Sequence, residues 1–387
     1  MKLHRRAFLQ TAGASALTAW LPIRTAWAAP QYERLLILVE LKGGNDGLNT
    51  VIPYADAQYA ALRPRIAIPR DQVLQLDPQS GLHPSLAPLM PLWQAGSLAV
   101  VQGVGYPQAN LSHFRSIEIW DTASRSNQFL RDGWLTRTFT SAPAPRNFAA
   151  DAVVVGSSEP GPFMSGSGSG VRTISLSNTE QFLRQAKLAA PAGQAHNVAL
   201  NHVLRVEQDI LQAAAGLKAG HVFRTEFPAT AFGNAVRTAA QVVASPSHVA
   251  ALKLSLGSFD THSGQLGTHT RLLKDLADGL MALKSALTEL NRWDDTLITT
   301  YAEFGRRPRE NLSGGTDHGT ANAHFVLGGR VKGGLLGARP ALDRLDGNGN
   351  LPFDVDFREI YATVLERWWG VNSQTALQGK FAPIAFL

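Results

Sequence analysis

Residues Leu35 to Leu41 read L-L-I-L-V-E-L, a nearly continuous apolar run of the kind that a strand needs when both of its faces are buried. Burial on both faces is the condition of a parallel sheet covered by helices, so this heptapeptide directs the chain towards an α/β fold. Shorter apolar, β-prone runs recur at 98–101, 152–155, 171–176, 252–256, 297–301 and 325–327. Between them lie helical patterns over 199–217 and 232–243 and a closing helix over 360–369, with Trp368 and Trp369 expected in the core. The clearest helix carries Leu273, Leu276, Leu280, Leu283, Leu287 and Leu290; three- and four-residue spacings put them on one stripe.

The polar residues gather where the strands stop. The first run ends at Gly43-Gly44-Asn45-Asp46-Gly47, the second leads through Gly103 and Gly105 to Ser112-His113-Phe114, the 252–256 run ends at Phe259-Asp260-Thr261-His262, and the 297–301 run at Glu303. A loop follows with Asp317, His318 and His324. Strands of a parallel sheet share one carboxyl edge, where ligands of open α/β folds bind, so residues distant in sequence are expected to converge there. Carboxylates and neutral imidazoles on such loops suit one or two divalent cations, and bound cations can activate a nucleophile and neutralise a phosphoryl or sulfuryl oxygen. Ser112 is the candidate nucleophile with His113 assisting, and Arg306 is a candidate for holding an oxyanion. Local readings compete with each of these: Asp46 in an Asx-turn, Ser112 as the N-cap of a helix carrying Ile117, Ile119 and Trp120, Asp317 and His318 capping a turn, and Glu303 paired with Arg306. His83 is read as structural, and the S-G-S-G-S-G stretch from Ser165 to Gly170 as a flexible loop.

The N-terminus has Arg5-Arg6-Ala7-Phe8-Leu9, a mildly apolar segment from Thr11 to Leu21 and Ala26-Trp27-Ala28. That order is a secretory signal of the twin-arginine type, so residues 1–28 are expected to be removed after engaging the Tat translocase, leaving 29–387 as one periplasmic or secreted domain. Losing Lys2, Arg5, Arg6 and Arg24 and no acid takes the formal charge from +6 to +2, which argues against nucleic acid as partner. No stretch reaches the roughly 20 apolar residues a membrane span needs. With no cysteine in the chain, thiolate ligands and a cysteine nucleophile are excluded.

V-E-L-K-G-G-N-D-G-L-N at 39–49, S-H-F at Ser112, F-D-T-H at Phe259, E-F-G-R at Glu303 and T-D-H-G followed by H-F-V-L-G-G at 316–329 together resemble the DUF1501 family, which is placed with the alkaline phosphatase and sulfatase superfamily. The resemblance implies an alkaline phosphatase-like, mostly parallel central sheet flanked by helices, and a site of one or two metal ions, with Zn, Mn, Fe or Ca all compatible. It implies Asp46, Asp260, His262, Glu303 and His318 as metal ligands, with Asp317 and His324 as further members of the ligand pool, and Ser112 as the metal-assisted nucleophile; His113 as its assistant and Asn45 and Arg306 as substrate contacts are expected from their own chemistry and position. Where the superfamily commonly has Asp-His, this chain has Glu303-Phe304, so an imidazole is missing there unless Asp317 or His324 replaces it. The implied activity is hydrolysis of phosphate or sulfate esters on a small molecule or polymer. The alternative is an exported binding or scaffold protein that keeps the fold and at most a structural metal.

Overall fold

The computed structural model describes residues 29–166, 169–176 and 220–387. The twin-arginine segment, the helix expected over 199–217 and part of the Ser165 to Gly170 loop lie outside the described residues.

A nine-stranded sheet forms the centre, built from β1 (Leu35–Leu41), β2 (Leu98–Gly105), β3 (Ala150–Val155), β4 (Thr173–Leu176), β5 (Val249–Leu256), β6 (Thr296–Tyr301), β7 (Asn322–Leu327), β8 (Gly334–Leu336) and β9 (Val355–Asp356). The order is β8-β2-β7-β6-β1-β5-β3-β4, with β9 also on β2. Every pairing is parallel except those of β7, which runs antiparallel to both β2 and β6. The sheet is therefore mixed and mostly parallel, with β1 at its centre between β5 and β6.

The continuous apolar run of β1 is explained by the two cores it serves. Leu35, Ile37, Val39 and Leu41 point into one, with Val236 and the leucines of the long helix. Leu36 and Leu38 point into the other, with Trp120, Tyr361, Trp368 and Trp369. Alternation across a strand sends successive side chains to opposite faces, and each fully buried aliphatic side chain contributes about 1.5–3 kcal/mol.

Helix α1 (His113–Thr122) follows β2, and α2 (Ala231–Ala244) packs against α3 (Gln265–Glu289). A Cβ at Gly279 of α3 would lie 2.5 Å from the Phe232 ring, so glycine there sets how closely the two helices approach. The leucines at 273, 276, 280, 283 and 287 are fully buried, whereas Leu290 is the helix's C-cap. The closing helix starts earlier than its apolar pattern, at Phe357, and turns π-helical over Val364–Trp368. Residues 306–318, expected as loop, form a hairpin of Arg306–Glu310 and Thr316–His318, and a further helix covers Trp134–Ser141.

The loop after β1 is anchored from within. Asp46 caps the short helix Gly47–Thr50 by accepting from the Leu48 N–H at 3.1 Å. Its carboxylate also meets both terminal nitrogens of Arg63, at 2.5 and 3.0 Å. Asp46 and Arg63 are completely buried, and Arg63 donates onward to the carbonyls of Arg307 and Pro308. Burial alone would raise the Asp46 carboxyl; the Arg63 charge and hydrogen bonds outweigh it and hold Asp46 below the ordinary carboxylate range.

Removing Arg63 leaves that carboxylate buried without its counter-ion. Arg63→Ala is expected to cost about 3–5 kcal/mol, read from the denaturant midpoint, and the paired change Asp46→Asn with Arg63→Met is expected to cost less than Arg63→Ala alone.

Three histidines inside the fold give stability a pH dependence of known sign. Burial lowers His83 and His269 to about 4 and His324 to about 3. Below the ordinary imidazole value of about 6.5, the unfolded chain takes up protons that the folded chain refuses, so stability falls as pH falls. The thermal midpoint should decline steadily from pH 6.5 towards pH 4, and His324→Leu should flatten the decline; an unchanged slope in that variant would remove His324 from this account.

Candidate metal centre

The carboxyl edge of the sheet collects the polar loops as the strand pattern implies. Gly43, at φ +114°, lets the β1 loop pass against the β5 loop, where a Cβ would lie 2.5 Å from the Asp260 backbone nitrogen. At this junction one ligand atom each from His113, Asp260 and His318 falls within 4.8 Å of the others. His113 opens α1 after β2, Asp260 follows β5, and His318 ends the hairpin after β6.

His262 stands beside this group, close to two of its three members. Its Nε2 lies 3.0 Å from Nε2 of His318 and 3.1 Å from Oδ1 of Asp260, while Nε2 of His318 is 3.3 Å from the same oxygen. His113 Nε2 lies 3.4 Å from Oδ2 of Asp260. Two imidazoles and one carboxylate, with a third imidazole beside them, make a donor set suited to a divalent cation such as Zn²⁺, Mn²⁺ or Fe²⁺.

Two of the imidazoles are oriented by partners behind them. His318 Nδ1 is 2.8 Å from the Leu111 carbonyl; a carbonyl only accepts, so Nδ1 carries the proton and Nε2 presents a lone pair to the centre. His113 Nδ1 is 2.8 Å from Oε1 of Glu303, and Glu303 is itself held by the Gly43 N–H at 2.9 and 3.2 Å. This is the carboxylate-behind-imidazole arrangement common to metal-ligating histidines. Asp317 lies 3.5 Å from Nδ1 of His262, a longer contact than these hydrogen bonds, and accepts from the Asn311 amide at 3.2 Å. Burial lowers His318, favouring the neutral imidazole a cation requires, even though the Leu111 and Asp260 hydrogen bonds act to raise it. Asp260 would be raised by burial, and the Arg306 hydrogen bond and charge outweigh that and hold it ionised.

The expected site residues therefore divide. Asp260, His262 and His318 meet at the centre, joined by His113, which the sequence reading cast as an assisting group and the structure places among the possible ligands. Glu303, expected as a ligand, stands behind the His113 imidazole, and Asp317, also expected as one, lies beside His262. Asp46, His324, Asn45 and Arg306 need correction. Asp46 is spent on Arg63, Gln265 and the Leu48 N–H. His324 is fully buried in β7 against Trp120, with neither ring nitrogen hydrogen-bonded. Asn45 is buried and bonded to Thr50 and His269. The buried Arg306 guanidinium is taken up by the carbonyls of Gly43, Gly44, Phe259 and Thr316 and by Asp260, and it does not border the larger cavity beside the centre. Ser112 is exposed at the N-cap of α1, and its hydroxyl makes no capping bond. It lies between Leu111, the acceptor for His318, and His113.

A cavity of about 700 Å³ opens beside the centre, bordered by Glu40, His113, Phe114, Ile117, Asp121 and Glu303 among others. Glu40, which forms the floor of this cavity in the sense of its most buried lining carboxylate, makes an ion pair at 2.9 Å with Lys253 behind it, both about 1% exposed. Sequence reasoning passed over this pair, although a charged residue inside each of two apolar strands was visible as a signal. A second cavity, of about 350 Å³, is bordered by Gln102, Arg339 and Asn322 and by none of the four clustered residues.

No helix among the described residues is long and apolar enough to cross a membrane. No curated protein matches the sequence. Among solved structures, the chain is similar to a protein in the alkaline phosphatase superfamily from Vibrio parahaemolyticus, at 12% identity over 99% of this chain and 80% of that one, TM-score 0.39. It is also similar to the C-terminal periplasmic domain of EcEptC from Escherichia coli in complex with Zn, at 11% identity over 78% and 73% of the two chains, TM-score 0.36, and to Ps i-CgsB in complex with k-i-k-neocarrahexaose, at 11% identity over 89% and 72%, TM-score 0.40. The profile of a family described as "Protein of unknown function (DUF1501)" matches residues 79–380. With the match running from before β2 to beyond the closing helix, the chain belongs to the DUF1501 family.

Proposed function

We propose that the protein is an exported, metal-dependent hydrolase of phosphate or sulfate esters. The observation that carries the reading is the convergence of His113, Asp260 and His318 from three separate loops, with the His318 lone pair aimed inward by the Leu111 carbonyl. Packing gives these segments no reason to bring two imidazoles and a carboxylate to one partly exposed point, whereas a divalent cation gives them one.

A bound cation supplies charge stabilisation at an ester oxygen and lowers the pKa of a coordinated hydroxyl. The chain's own residues do the rest. His113, His318 and Asp260, with His262 beside them, would hold the cation; Glu303 and the Leu111 carbonyl fix two of the ring orientations; Arg306 keeps Asp260 in place. Ser112, the residue before His113 in the chain, is the exposed N-cap of α1 and would supply the hydroxyl nucleophile, and the adjoining cavity has room for the non-reacting part of a substrate. A twin-arginine leader at Arg5-Arg6 fits this chemistry, since that route carries folded proteins and a metal centre can be assembled before export.

The second reading, a binding protein with a structural metal, draws on one specific observation: among the described residues the Ser112 hydroxyl has no hydrogen-bonded base. Activity separates the two readings.

Metal analysis of the mature protein, purified through its export route without chelator, should return one or two equivalents of a divalent ion. His113→Ala with Asp260→Ala should lose it while keeping the circular dichroism of the parent, and Glu303→Gln should weaken affinity roughly 10–100-fold. A parent that binds no ion when ions are supplied overturns the proposal. In a screen of phosphate and sulfate esters, Ser112→Ala should abolish turnover with metal content unchanged and stability within about 0.5 kcal/mol, as for an ordinary surface position; full activity in that variant would remove Ser112 as nucleophile.

A further inference from the structure

The cavity beside the metal centre has a floor that the hydrolase reading leaves unused. Glu40, at the end of β1, directs Oε2 to Lys253 at 2.9 Å and to the Ser255 hydroxyl at 2.8 Å. Its Oε1 is buried without a hydrogen-bond partner among the described residues. A buried carboxylate oxygen left without a donor costs about 1–3 kcal/mol or more, and this one belongs to a residue bordering the cavity.

We propose that this floor binds a primary ammonium group carried by the non-reacting part of the ester, so that the substrate class is an amine-bearing phosphate or sulfate ester. The proposal rests on the hydrolase reading for the word ester, and on the cavity alone for the ammonium.

Three features select an ammonium over other occupants. The first is the balance of charge. The carboxyls of Glu40, Glu118, Asp121 and Glu159 border the cavity with Lys42 as the lysine among its lining residues. Lys42 is held by Glu159 at 2.6 Å, Lys253 by Glu40, and Arg115 by Glu118 at 2.9 Å. Asp121 has no ion-pair partner among the described residues; its nearest polar contact is the Tyr301 hydroxyl at 3.5 Å. Burial keeps the Asp121 carboxyl well above the ordinary carboxylate range, and a cation beside it would favour its ionised form. No cationic side chain is left unpaired to receive a second anionic group.

The second feature is the wall. Phe114, Ile117 and Met164 border the same cavity, and Phe114 is 89% exposed. Apolar walls suit the methylenes of an aminoalkyl group, and an aromatic face adds cation–π attraction. The third is that the slot does not suit a metal ion. The Lys253 ammonium already occupies one side of Glu40, and the one three-residue ligand set among the described residues is that of His113, Asp260 and His318.

Binding of hexylammonium and of 1-heptanol, a neutral probe of similar size, to the full mature protein can be compared by saturation-transfer NMR. We expect hexylammonium to bind at least tenfold more tightly, with and without the metal loaded. Glu40→Gln should abolish the difference. Because that change also disturbs Lys253, a second variant, Ile117→Trp, fills the cavity without altering a charge and should exclude both probes while leaving the thermal midpoint near that of the parent. Equal binding of the two probes, retention of the preference in Glu40→Gln, or competition of hexylammonium with the metal would each overturn the proposal. Since no ester is cleaved in this assay, a preference for ammonium in a protein without hydrolase activity would sink the hydrolase reading and leave the subsite standing. Turnover of amine-bearing and plain esters at equal rates would do the reverse.

Discussion

One guanidinium holds the candidate site together. Arg306 is buried at the start of the hairpin and donates to the carbonyls of Gly43 and Gly44 after β1, of Phe259 after β5, and of Thr316 on the opposite hairpin strand. Its remaining bond, 2.6 Å to Asp260, orients the carboxylate that the imidazoles share. Loops from three parts of the sequence are thus tied to a rigid planar fork with five donors in fixed directions. A lysine would keep the charge and lose the directions. The ion pair of Asp46 with Arg63 works beside it, since Arg63 also reaches the carbonyls of Arg307 and Pro308, so two buried arginines brace the same hairpin from two sides.

This division of labour explains what could and could not be read from the sequence. The L-L-I-L-V-E-L run announces a strand buried on both faces, and both cores are present. The antiparallel course of β7 leaves no such mark, because alternation and apolar content do not depend on strand direction. The hairpin at 306–318 was hidden by R-R-P-R-E, which has no apolar period and contains a proline. At the site, Asp260, His262 and His318 were legible as donors on loops beyond strands. Asp46, Asn45 and Arg306 looked the same in sequence, a polar residue beside glycines, yet they face inward and hold the loops instead. Which way a side chain turns is decided by partners hundreds of residues away, such as Gln265 for Asp46 and His269 for Asn45.

His113 and Glu303 exchange the roles expected of them for a related reason. Both lie beyond strand ends, and spacing alone cannot say which touches an ion and which stands behind. The register does: β6 delivers Glu303 beneath the Gly43 N–H, where its carboxylate is buried, while α1 begins at the surface and carries His113 outward. The same logic applies to Glu40 and Lys253. Each is a single charge in an apolar strand, and only the pairing of Leu38 with Lys253 and of Glu40 with Ser255 shows that the two are neighbours.

The position of β1 also constrains how the chain must be made. Its partners are the strands at Val249–Leu256 and Thr296–Tyr301, joined through pairs such as Leu36 with Ala251 and Leu36 with Leu297. A strand made early in the described chain is therefore paired late, and its seven buried residues stay without these strand neighbours until Val249–Leu256 and Thr296–Tyr301 have been synthesised. Sheets dominated by such non-local parallel pairings fold slowly and expose apolar segments meanwhile. For a nascent chain of this kind, a chaperone that shelters the first strand has a physical reason to bind, and a truncation before residue 296 leaves the centre of the sheet with no second partner to close on.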